Sequence, residues 1–329
     1  TFSFLMEETR LLVLDKPDTP HLRLLDRLTQ PVKVDVGIEP AFLQSAAPHA
    51  DVILLASSAA QPLRDAWPFA RKVRWVHSLW AGVEDFLFSD FANSPVPLSN
   101  ARGIYKRSLA EFVMTGVLYF AKDIPRMLRQ QKAAHWEKFE VTEAHGHTLG
   151  VVGYGEIGRA SAALAKSFGM RILAVRRNAG PGAGQPDGIA DAVFAPDQLR
   201  EMLAQCDYVV VAAPITPQTR GMIGEAELAV MKKSAVIINV GRGPVIAEAP
   251  LILALKEGRL LGAALDVFDE EPLPKAHPFW QMPNVLLSPH CADRTPGWLE
   301  MSTEFFIRNF DRFQKGQPLE NIVDKKARY

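Results

Sequence analysis

The sequence contains little cysteine. Among 329 residues only Cys206 and Cys291 occur, and they form no C-x-x-C pair. This scarcity argues against a disulfide framework and against a cysteine-bound zinc cluster, and we expect no metal site. A reducing compartment suits such a chain, so a cytoplasmic location is expected. The first ten residues carry Glu7 and Glu8 and no basic stretch, which predicts no signal peptide, although import directed by an upstream segment stays open.

An excess of one charge is also missing. Lys and Arg total 37, and Asp and Glu total 37, so the formal net charge is zero. A neutral chain has no long-range field that gathers polyanions, and we therefore expect neither nucleic acid nor a membrane as a partner. No apolar run approaches the roughly 20 residues that cross a bilayer. The hydrophobic content of 48% is ample, which excludes disorder as the main state.

The sequence does contain a repeated alternation of strand-like and helix-like segments. A chain of this length favours two domains. In the first hundred residues, short apolar runs are separated by helical or turn-rich stretches, which predicts parallel β-α-β units. These candidate strands are 11–14, 32–36, 51–55, 73–79 and 96–98, and a candidate helix covers 21–28.

The second half of the chain repeats this pattern more regularly. Its continuous apolar runs are typical of a parallel sheet covered on both faces, the arrangement of a doubly wound dinucleotide-binding domain. The candidate strands are 149–153, 171–175, 208–214, 235–240, 262–267 and 285–289. The candidate helices are 156–168, 196–204, 224–231 and 249–258. A glycine- and proline-rich run, 179–188, is expected to form an exposed loop.

Two further helical segments set the expected domain boundaries. A long apolar helix at 108–131, divided at Pro125, is predicted between the domains, and an amphipathic helix at 296–312 is predicted to return to the first domain. The expected fold class is α/β with two doubly wound parallel sheets. Residues 1–100 plus 292–329 form a discontinuous, flavodoxin-like domain, into which a Rossmann domain of residues 101–291 is inserted.

The clearest motif follows the strand at 149–153 and opens a helix. It consists of Gly153, Tyr154, Gly155, Glu156, Ile157 and Gly158, a G-x-G-x-x-G. In this context the first glycine permits the tight turn, the second lets the backbone approach a pyrophosphate, and the third packs helix against strand. The free amides of the helix N-terminus then bind phosphate oxygens. A glycine turn without a ligand is the alternative, and the flanking strand and helix favour the dinucleotide site.

The next strand of that domain ends without an acid. A site for NAD normally carries a carboxylate there, which accepts hydrogen bonds from the ribose hydroxyls. Here the strand at 171–175 is followed by Arg176 and Arg177. Two guanidinium groups suit a 2′-phosphate through charge-assisted bonds. Two solvated surface arginines are the alternative, and we favour NADP over NAD as the cofactor.

Three ionisable residues lie just past the ends of three different predicted strands. They are Arg242, Glu271 and His290. In an open α/β sheet ligands bind at the carboxyl ends of the strands, so these side chains are expected to converge. An Arg can hold a substrate carboxylate, and a His can donate a proton to a carbonyl oxygen while an acid keeps that His protonated. Taken singly, each residue has another interpretation. Arg242 could be a surface charge, Glu271 could belong to a solvated acidic cluster with Asp269 and Glu270, and His290 could be a loop histidine with no catalytic role.

These segments resemble the D-isomer-specific 2-hydroxyacid dehydrogenases. The resemblance covers essentially the whole chain and is strongest at 149–292. It is carried by residues 149–158, 238–243, 264–268, 271–272 and 288–290. It implies a nicotinamide-dependent oxidoreductase with a Rossmann cofactor domain and a substrate domain, the reaction taking place in the cleft between them.

The resemblance also implies roles for individual residues. Arg242, Glu271 and His290 would be the catalytic residues, since the acid of the family directly precedes a proline, which selects Glu271 over Glu270. Further contacts with the cofactor would come from Ala213, Pro214, Val240, Gly241, Arg242, Asp266 and His290. Contacts with the substrate would come from Trp80, Ala81, Gly82, Arg242 and His290. Among these, the amides of Ala81 and Gly82 would bind the substrate carboxylate beside Arg242.

The expected activity is the reduction of a small 2-oxo acid to a D-2-hydroxy acid with NAD(P)H. The arginine pair resembles that of NADP-preferring glyoxylate and hydroxypyruvate reductases, and a homodimer formed through residues 105–135 is expected by the same resemblance. One alternative is a corepressor-like protein that binds the nucleotide as a signal. Another is an NAD-dependent dehydrogenase of a different 2-hydroxy acid. Formate oxidation would place Gln at position 271, so Glu271 argues against it.

Overall fold

A computed structural model describes residues 8–177 and 188–328 of the protein. These residues pack as two compact units. The first unit contains the described residues up to Ile104 and those from Pro296 onward, and the second lies between Tyr105 and Thr295. The first unit is therefore made from two separate stretches of chain. The loop predicted at 179–188 lies outside the described residues except for Gly188.

The first unit is built around a parallel sheet. Within the described residues this sheet has five strands in the order β2-β1-β3-β4-β5, the flavodoxin-like order. The strands are β1 Thr9–Leu14, β2 Val32–Val36, β3 Val52–Leu55, β4 Trp75–Ser78 and β5 Leu98–Asn100. The central strands β3 and β4 are buried along their whole length, as expected for apolar runs covered on both faces. The observed strand β5 lies two residues closer to the C-terminus than the predicted strand 96–98, so the two ranges share only Leu98.

Four α-helices in the described part of the first unit accompany this sheet. They are α1 Pro40–Ala46, α2 Gln61–Ala66, α3 Ser89–Ala92 and the C-terminal α10 Trp298–Gln314. The predicted helix at 21–28 is a 3-10 helix, Pro20–Arg27. It begins at a proline and ends where Leu28 becomes extended, so it stays short.

Aromatic side chains pack α10 onto the first sheet. Phe306 stacks on Trp75 of β4 with ring centroids 5.4 Å apart, and Phe310 lies 6.4 Å from the same indole. All three side chains are inaccessible to solvent. The indole N–H of Trp75 donates to Ser99 Oγ at 2.9 Å, which satisfies its one buried polar group. The C-terminal helix is therefore part of the core of the first unit.

The second unit contains the larger parallel sheet. Across residues 105–177 and 188–295 this sheet has seven strands in the order β12-β11-β10-β9-β6-β7-β8, a doubly wound order. The strands are β6 Thr148–Val152, β7 Arg171–Val175, β8 Ala192–Phe194, β9 Tyr208–Val211, β10 Val236–Asn239, β11 Gly262–Leu265 and β12 Val285–Leu287. Six of these were predicted. The edge strand β8 was not predicted, because three residues are too few to show a repeating apolar pattern. The prediction of two doubly wound parallel sheets is confirmed.

Six α-helices occur in the described part of the second unit. They are α4 Lys106–Ala121, α5 Ile124–Lys132, α6 Glu156–Ser167, α7 Leu199–Leu203, α8 Glu225–Ala229 and α9 Glu248–Lys256. The predicted helix 108–131 is divided at Asp123, whose φ of 46° ends the regular backbone. The Asp123 carboxylate accepts the amide of Arg126 at 3.2 Å and so caps α5. Pro125 lies in the first turn of α5, where its missing N–H leaves no helical bond unmade.

The region predicted to join two subunits carries exposed apolar side chains. Within residues 105–135, Met127 and Leu128 on α5 are 40% and 53% exposed. The homodimer and the cytoplasmic location stay predictions. Among the described residues, no helix is long and apolar enough to cross a membrane.

Replacing Phe306 by Ala is expected to destabilise the first unit by about 3–5 kcal/mol, because it leaves a cavity against Trp75. Calorimetric unfolding of the full chain should show the loss as a lower transition temperature. Phe69, which is 36% exposed, provides the matched control, and Phe69→Ala should have a much smaller effect. Equal shifts in the two variants would contradict this account of the core.

Candidate active site

The ends of five neighbouring strands of the second sheet lie in one row. The register pairs Asn239 with Val211 on one side and with Leu265 on the other. The same row continues through Val152 of β6 and Leu287 of β12. The residues that follow these positions include the glycine motif, Ala213, Arg242, Asp266 and His290. These residues, which were singled out from the sequence, therefore all lie along the carboxyl edge of the second sheet.

The glycine motif forms the turn between β6 and α6. Gly153 has a φ of 96°, and a Cβ atom there would collide with the backbone of Ala213. A Cβ on Gly158 would collide with the carbonyl oxygen of Gly153. At Gly155, by contrast, a Cβ would meet no atom of the described residues within 4 Å beyond its chain neighbours and the backbone of α6. The first and third glycines are thus required by the fold, whereas the second leaves open space at the N-terminus of α6, where a pyrophosphate fits.

An acid at this turn is neutralised within the second unit. Glu156, the first residue of α6, lies 2.7 Å from the Nζ atom of Lys106 on α4. Tyr154 is buried, and its ring lies 5.5 Å from the guanidinium of Arg159. The ion pair lowers the repulsion that the Glu156 carboxylate would exert on a bound phosphate.

The arginine pair lies next to the same turn. The amide of Gly153 donates to the carbonyl of Val175 at 3.2 Å, so Arg176 and Arg177 directly follow a residue bonded to the motif. Both arginines are exposed. The described residues that directly follow β7 are these two arginines and include no acid. A guanidinium group can form charge-assisted bonds with a phosphate.

Arg242 follows β10 in a turn that Asn239 holds. The side chain of Asn239 donates to the carbonyl of Arg242 at 3.0 Å and accepts the amide of Gly241 at 3.1 Å. Asn239 is 1% exposed, so these bonds satisfy a buried amide. A Cβ on Gly241 would press on the backbone of Ala212 and Ala213, which explains why a glycine stands there. Arg242, which is half-buried, is therefore carried by a turn that the bonds of Asn239 hold together.

His290 and Glu271 form a direct pair. The Nδ1 atom of His290 lies 2.6 Å from Glu271 Oε2, and Glu271 Oε1 accepts the amide of Phe268 at 2.9 Å. Both side chains are partly exposed, at 44% for His290 and 33% for Glu271. With Nδ1 of His290 bonded to Glu271, the Nε2 atom is the one that can bond to another partner. The Glu271 carboxylate is held in place by the amide of Phe268 in its own loop.

The pair favours the charged form of both groups. The hydrogen bond to Glu271 raises the pKa of His290, and the charges of Glu271 and Asp266 add to this effect, while burial and Arg242 oppose it. Burial of the Glu271 carboxyl acts to raise its pKa, but the bonds from His290 and Phe268 and the nearby positive charges outweigh burial, and that pKa is lowered. A protonated imidazole beside an ionised carboxylate can act as a general acid.

Asp266 fixes the loop that carries His290. Its Oδ1 atom accepts three hydrogen bonds, from Ser288 Oγ at 2.5 Å, from the Cys291 amide at 2.9 Å and from the Ala292 amide at 3.1 Å. His290 lies between these donors with a φ of 50°, which is unusual for a residue other than glycine. The hydroxyl of Ser108 on α4 binds the carbonyl of Ala292 as well. The strained backbone of His290 is therefore held from both sides.

The resemblance assigned Asp266 to the cofactor, which stays a prediction, and it gave Asn239, Ser288 and Ser108 no role. In the structure Asp266 also binds the backbone amides of Cys291 and Ala292. A polar residue that closes a buried apolar strand, as Asn239 and Asp266 do, is the signal that could have identified these positions. Within 8–177 and 188–328, no group of three His, Cys, Asp or Glu side chains could hold a metal ion.

Three of the five substrate residues expected from the resemblance, Trp80, Ala81 and Gly82, lie in the first unit, in the turn after β4. The amide of Trp80 donates to Ser78 Oγ at 3.1 Å, and the indole packs edge-on against Trp298 with centroids 5.2 Å apart. Ala81 is exposed. In the described part of the chain the amides of Ala81 and Gly82 find no acceptor, so both remain available to an anion.

Comparison with known proteins gives a consistent family. Residues 114–292 match the family model of the D-isomer specific 2-hydroxyacid dehydrogenase, NAD binding domain. D-3-phosphoglycerate dehydrogenase of Methanocaldococcus jannaschii is 31% identical over 319 residues, which cover 96% of this chain and 59% of that protein. The chain thus spans less than two thirds of that relative.

Two further similarities extend over most of both proteins. Glyoxylate reductase of Thermococcus gammatolerans is 34% identical over 267 residues, or 78% of each chain. The solved structure of the NADPH-dependent glyoxylate/hydroxypyruvate reductase of Sinorhizobium meliloti, in complex with NADP and sulfate, matches with a TM-score of 0.85 and 27% identity. That match covers 98% of this chain and 100% of the other. The protein therefore belongs to the D-isomer specific 2-hydroxyacid dehydrogenase family, whose members are NAD(P)-dependent oxidoreductases.

Proposed function

We propose that the protein reduces a small 2-oxo acid, glyoxylate or hydroxypyruvate, to the 2-hydroxy acid with NADPH. The observation that carries the proposal is the 2.6 Å pair of His290 and Glu271 on the sheet edge that also bears the glycine motif. Reductases of these two substrates are among the similar proteins. The proposal assigns the second unit to the cofactor and to proton transfer.

Each residue of the second unit has a separate task in this proposal. The nicotinamide cofactor, when bound, supplies the hydride that the carbonyl carbon of the substrate receives. His290 donates the proton from Nε2 to the carbonyl oxygen, because its Nδ1 edge is engaged by Glu271. Arg242 binds the substrate carboxylate through its fork of donors. The backbone around Ala213, Pro214, Val240 and Gly241 forms the wall against which the nicotinamide would lie.

The first unit is proposed to recognise the substrate carboxylate. The amides of Ala81 and Gly82 form a small anion-binding turn. Trp80 is bulky and its indole nitrogen is buried without a partner in the described residues, so its ring restricts space beside that turn. A two- or three-carbon acid fits this restriction better than a long one.

A second candidate substrate is a phosphorylated 2-hydroxy acid. The relative from Methanocaldococcus jannaschii is named as a D-3-phosphoglycerate dehydrogenase, and its similarity covers 96% of this chain. A substrate panel that includes 3-phosphohydroxypyruvate separates the two candidates. The arginine pair is assigned to the cofactor in our proposal, so it gives no reason to expect a phosphorylated substrate.

The cofactor and substrate assignments predict faster oxidation of NADPH than of NADH with glyoxylate or hydroxypyruvate, followed by the absorbance of the reduced nicotinamide. In the double variant Arg176→Ala, Arg177→Ala, the KM for NADPH should rise by about 10- to 100-fold, since each charge-assisted bond contributes about 1.5–3 kcal/mol before screening. The KM for NADH should change little. Arg71→Ala, at an exposed position of the first unit, is the control. A native preference for NADH contradicts this assignment.

Replacing His290 by Gln should lower kcat/KM for reduction by about 10²- to 10⁴-fold, because the general acid is removed. Binding of NADPH, measured by fluorescence titration, should persist. His49→Gln changes an exposed histidine of the first unit and should leave the rate unchanged. Wild-type turnover in His290→Gln would rule out the proposed proton transfer.

The pH profile should respond to Glu271. Reduction needs protonated His290, so kcat/KM falls as pH rises through the pKa of that group, which the pair with Glu271 raises. In Glu271→Gln the charge and its hydrogen bond are lost, the pKa of His290 falls, and the alkaline limb should move to lower pH. Glu270→Gln alters the neighbouring acid and should leave the limb in place. An unmoved limb in Glu271→Gln would contradict the role of the pair.

A further inference from the structure

The C-terminal segment of the chain covers the edge of the first sheet. Ile322 forms an antiparallel bridge with Ser99 of β5, and the amide of Val323 donates to Leu98 at 2.8 Å. The amide of Asn100 donates to the carbonyl of Asn321 at 3.2 Å. Because β5 is the edge strand of its sheet, these bonds pair backbone groups that the sheet leaves open.

Lys325 anchors this segment beyond the paired residues. Its Nζ atom lies 2.9 Å from the carbonyl of Phe91, 2.7 Å from that of Ser94 and 2.8 Å from that of Val96. Burial lowers the pKa of Lys325. Three neutral backbone carbonyls take the place of water around the Lys325 ammonium. Lys325 is thereby fixed to the loop that leads into β5.

Asn321 links the C-terminal segment to the residues after β5. Its φ of 54° directs the side chain back onto the chain, where Nδ2 donates to the carbonyls of Asn100 at 3.2 Å and Arg102 at 2.8 Å. Two donors of one amide thus hold the backbone at 100–102. Asn tolerates this left-handed conformation better than most residues.

Asn100 links the residues after β5 to the turn at 80–82. It is 4% exposed, and its side chain donates to the carbonyl of Ala81 at 2.7 Å while it accepts the amide of Arg102 at 3.2 Å. The carbonyl of the preceding residue, Trp80, accepts the amide of Ala101 at 3.3 Å. Two successive carbonyls of the turn are therefore drawn to the same side, toward residues 100 and 101.

This arrangement fixes the direction of two amides. In a planar trans peptide the C=O and the following N–H point in opposite directions. Holding the carbonyls of Trp80 and Ala81 toward β5 therefore turns the amides of Ala81 and Gly82 away from it, side by side. We propose that Asn100 and Asn321 are positioning residues, which preorganise these two amides for the substrate carboxylate. This inference rests on the proposed function, since it takes a carboxylate as the ligand of the turn.

The test uses two variants of the whole 329-residue chain. In Asn321→Gly the backbone conformation is kept and only the side-chain amide is lost, and in Asn100→Ala the bond to Ala81 is lost directly. The KM for glyoxylate should rise about 2- to 10-fold in each, as expected from about 0.5–1.5 kcal/mol for one hydrogen bond, while kcat stays within about twofold. The KM for NADPH should not change.

Oxalate provides a readout that needs no turnover. Its dissociation constant, measured by calorimetry with NADP present, should rise by the same factor as the KM for glyoxylate. Asn93→Gly is the matched control, since Asn93 is an exposed Asn of the same unit and lies outside the turn. Thermal unfolding of each variant verifies that it is folded at the assay temperature.

The possible outcomes separate the two proposals. Unshifted KM and oxalate affinity in both variants, with an active native enzyme, overturn the positioning role alone. An equal loss of kcat, NADPH affinity and oxalate affinity also overturns it, because this indicates general loosening. A native protein that reduces no 2-oxo acid and binds no oxalate contradicts the proposed function, and the positioning role with it.

Discussion

The common register of β6, β9, β10, β11 and β12 is the constraint on which the candidate site depends. Backbone bonds extend each pairing one residue past the strand, as from Ala212 to Val152 and from Ser288 to Leu265. The loops therefore leave the sheet from one level. A slip of one residue in any strand would turn its last side chain to the opposite face. The positions of Arg242 and Asp266 are thus set by the buried strands β10 and β11, and that of His290 by the partly buried apolar strand β12.

Two carboxylates near His290 have different structural tasks. Glu271 contacts the imidazole itself, whereas Asp266 accepts the two backbone amides that follow His290 and the hydroxyl of Ser288 before it. A carboxylate that is 1% exposed is costly unless its oxygens are bonded, and Asp266 has three donors on one oxygen. One acid thus acts mainly on the proton affinity of His290, and the other mainly on its conformation. Removing either would change the same histidine for different physical reasons.

The sequence predicted the strands and the glycine motif because both rest on local patterns. Apolar runs such as that of β3 and β10 identify buried strands wherever they stand, and a G-x-G-x-x-G between strand and helix has a fixed geometry. Contacts between distant residues were not predictable in this way. The bond from Asn100 to Ala81 spans 19 residues, and that from Asn321 to Asn100 spans 221. Neither hydrogen bond is marked by a repeating pattern in the sequence, so only the folded structure shows it.

The split composition of the first unit has a consequence for the newly made chain. The second unit is one continuous stretch that ends at Thr295, whereas the first sheet receives α10 and its edge-covering segment from residues 296–328, which are synthesised after the whole second unit. Until then Trp75 lacks its partners Phe306 and Phe310, and β5 has an open edge. Residues 8–104 must therefore wait for residues 296–328 before their shared core closes, which lengthens their exposure to aggregation and to chaperones.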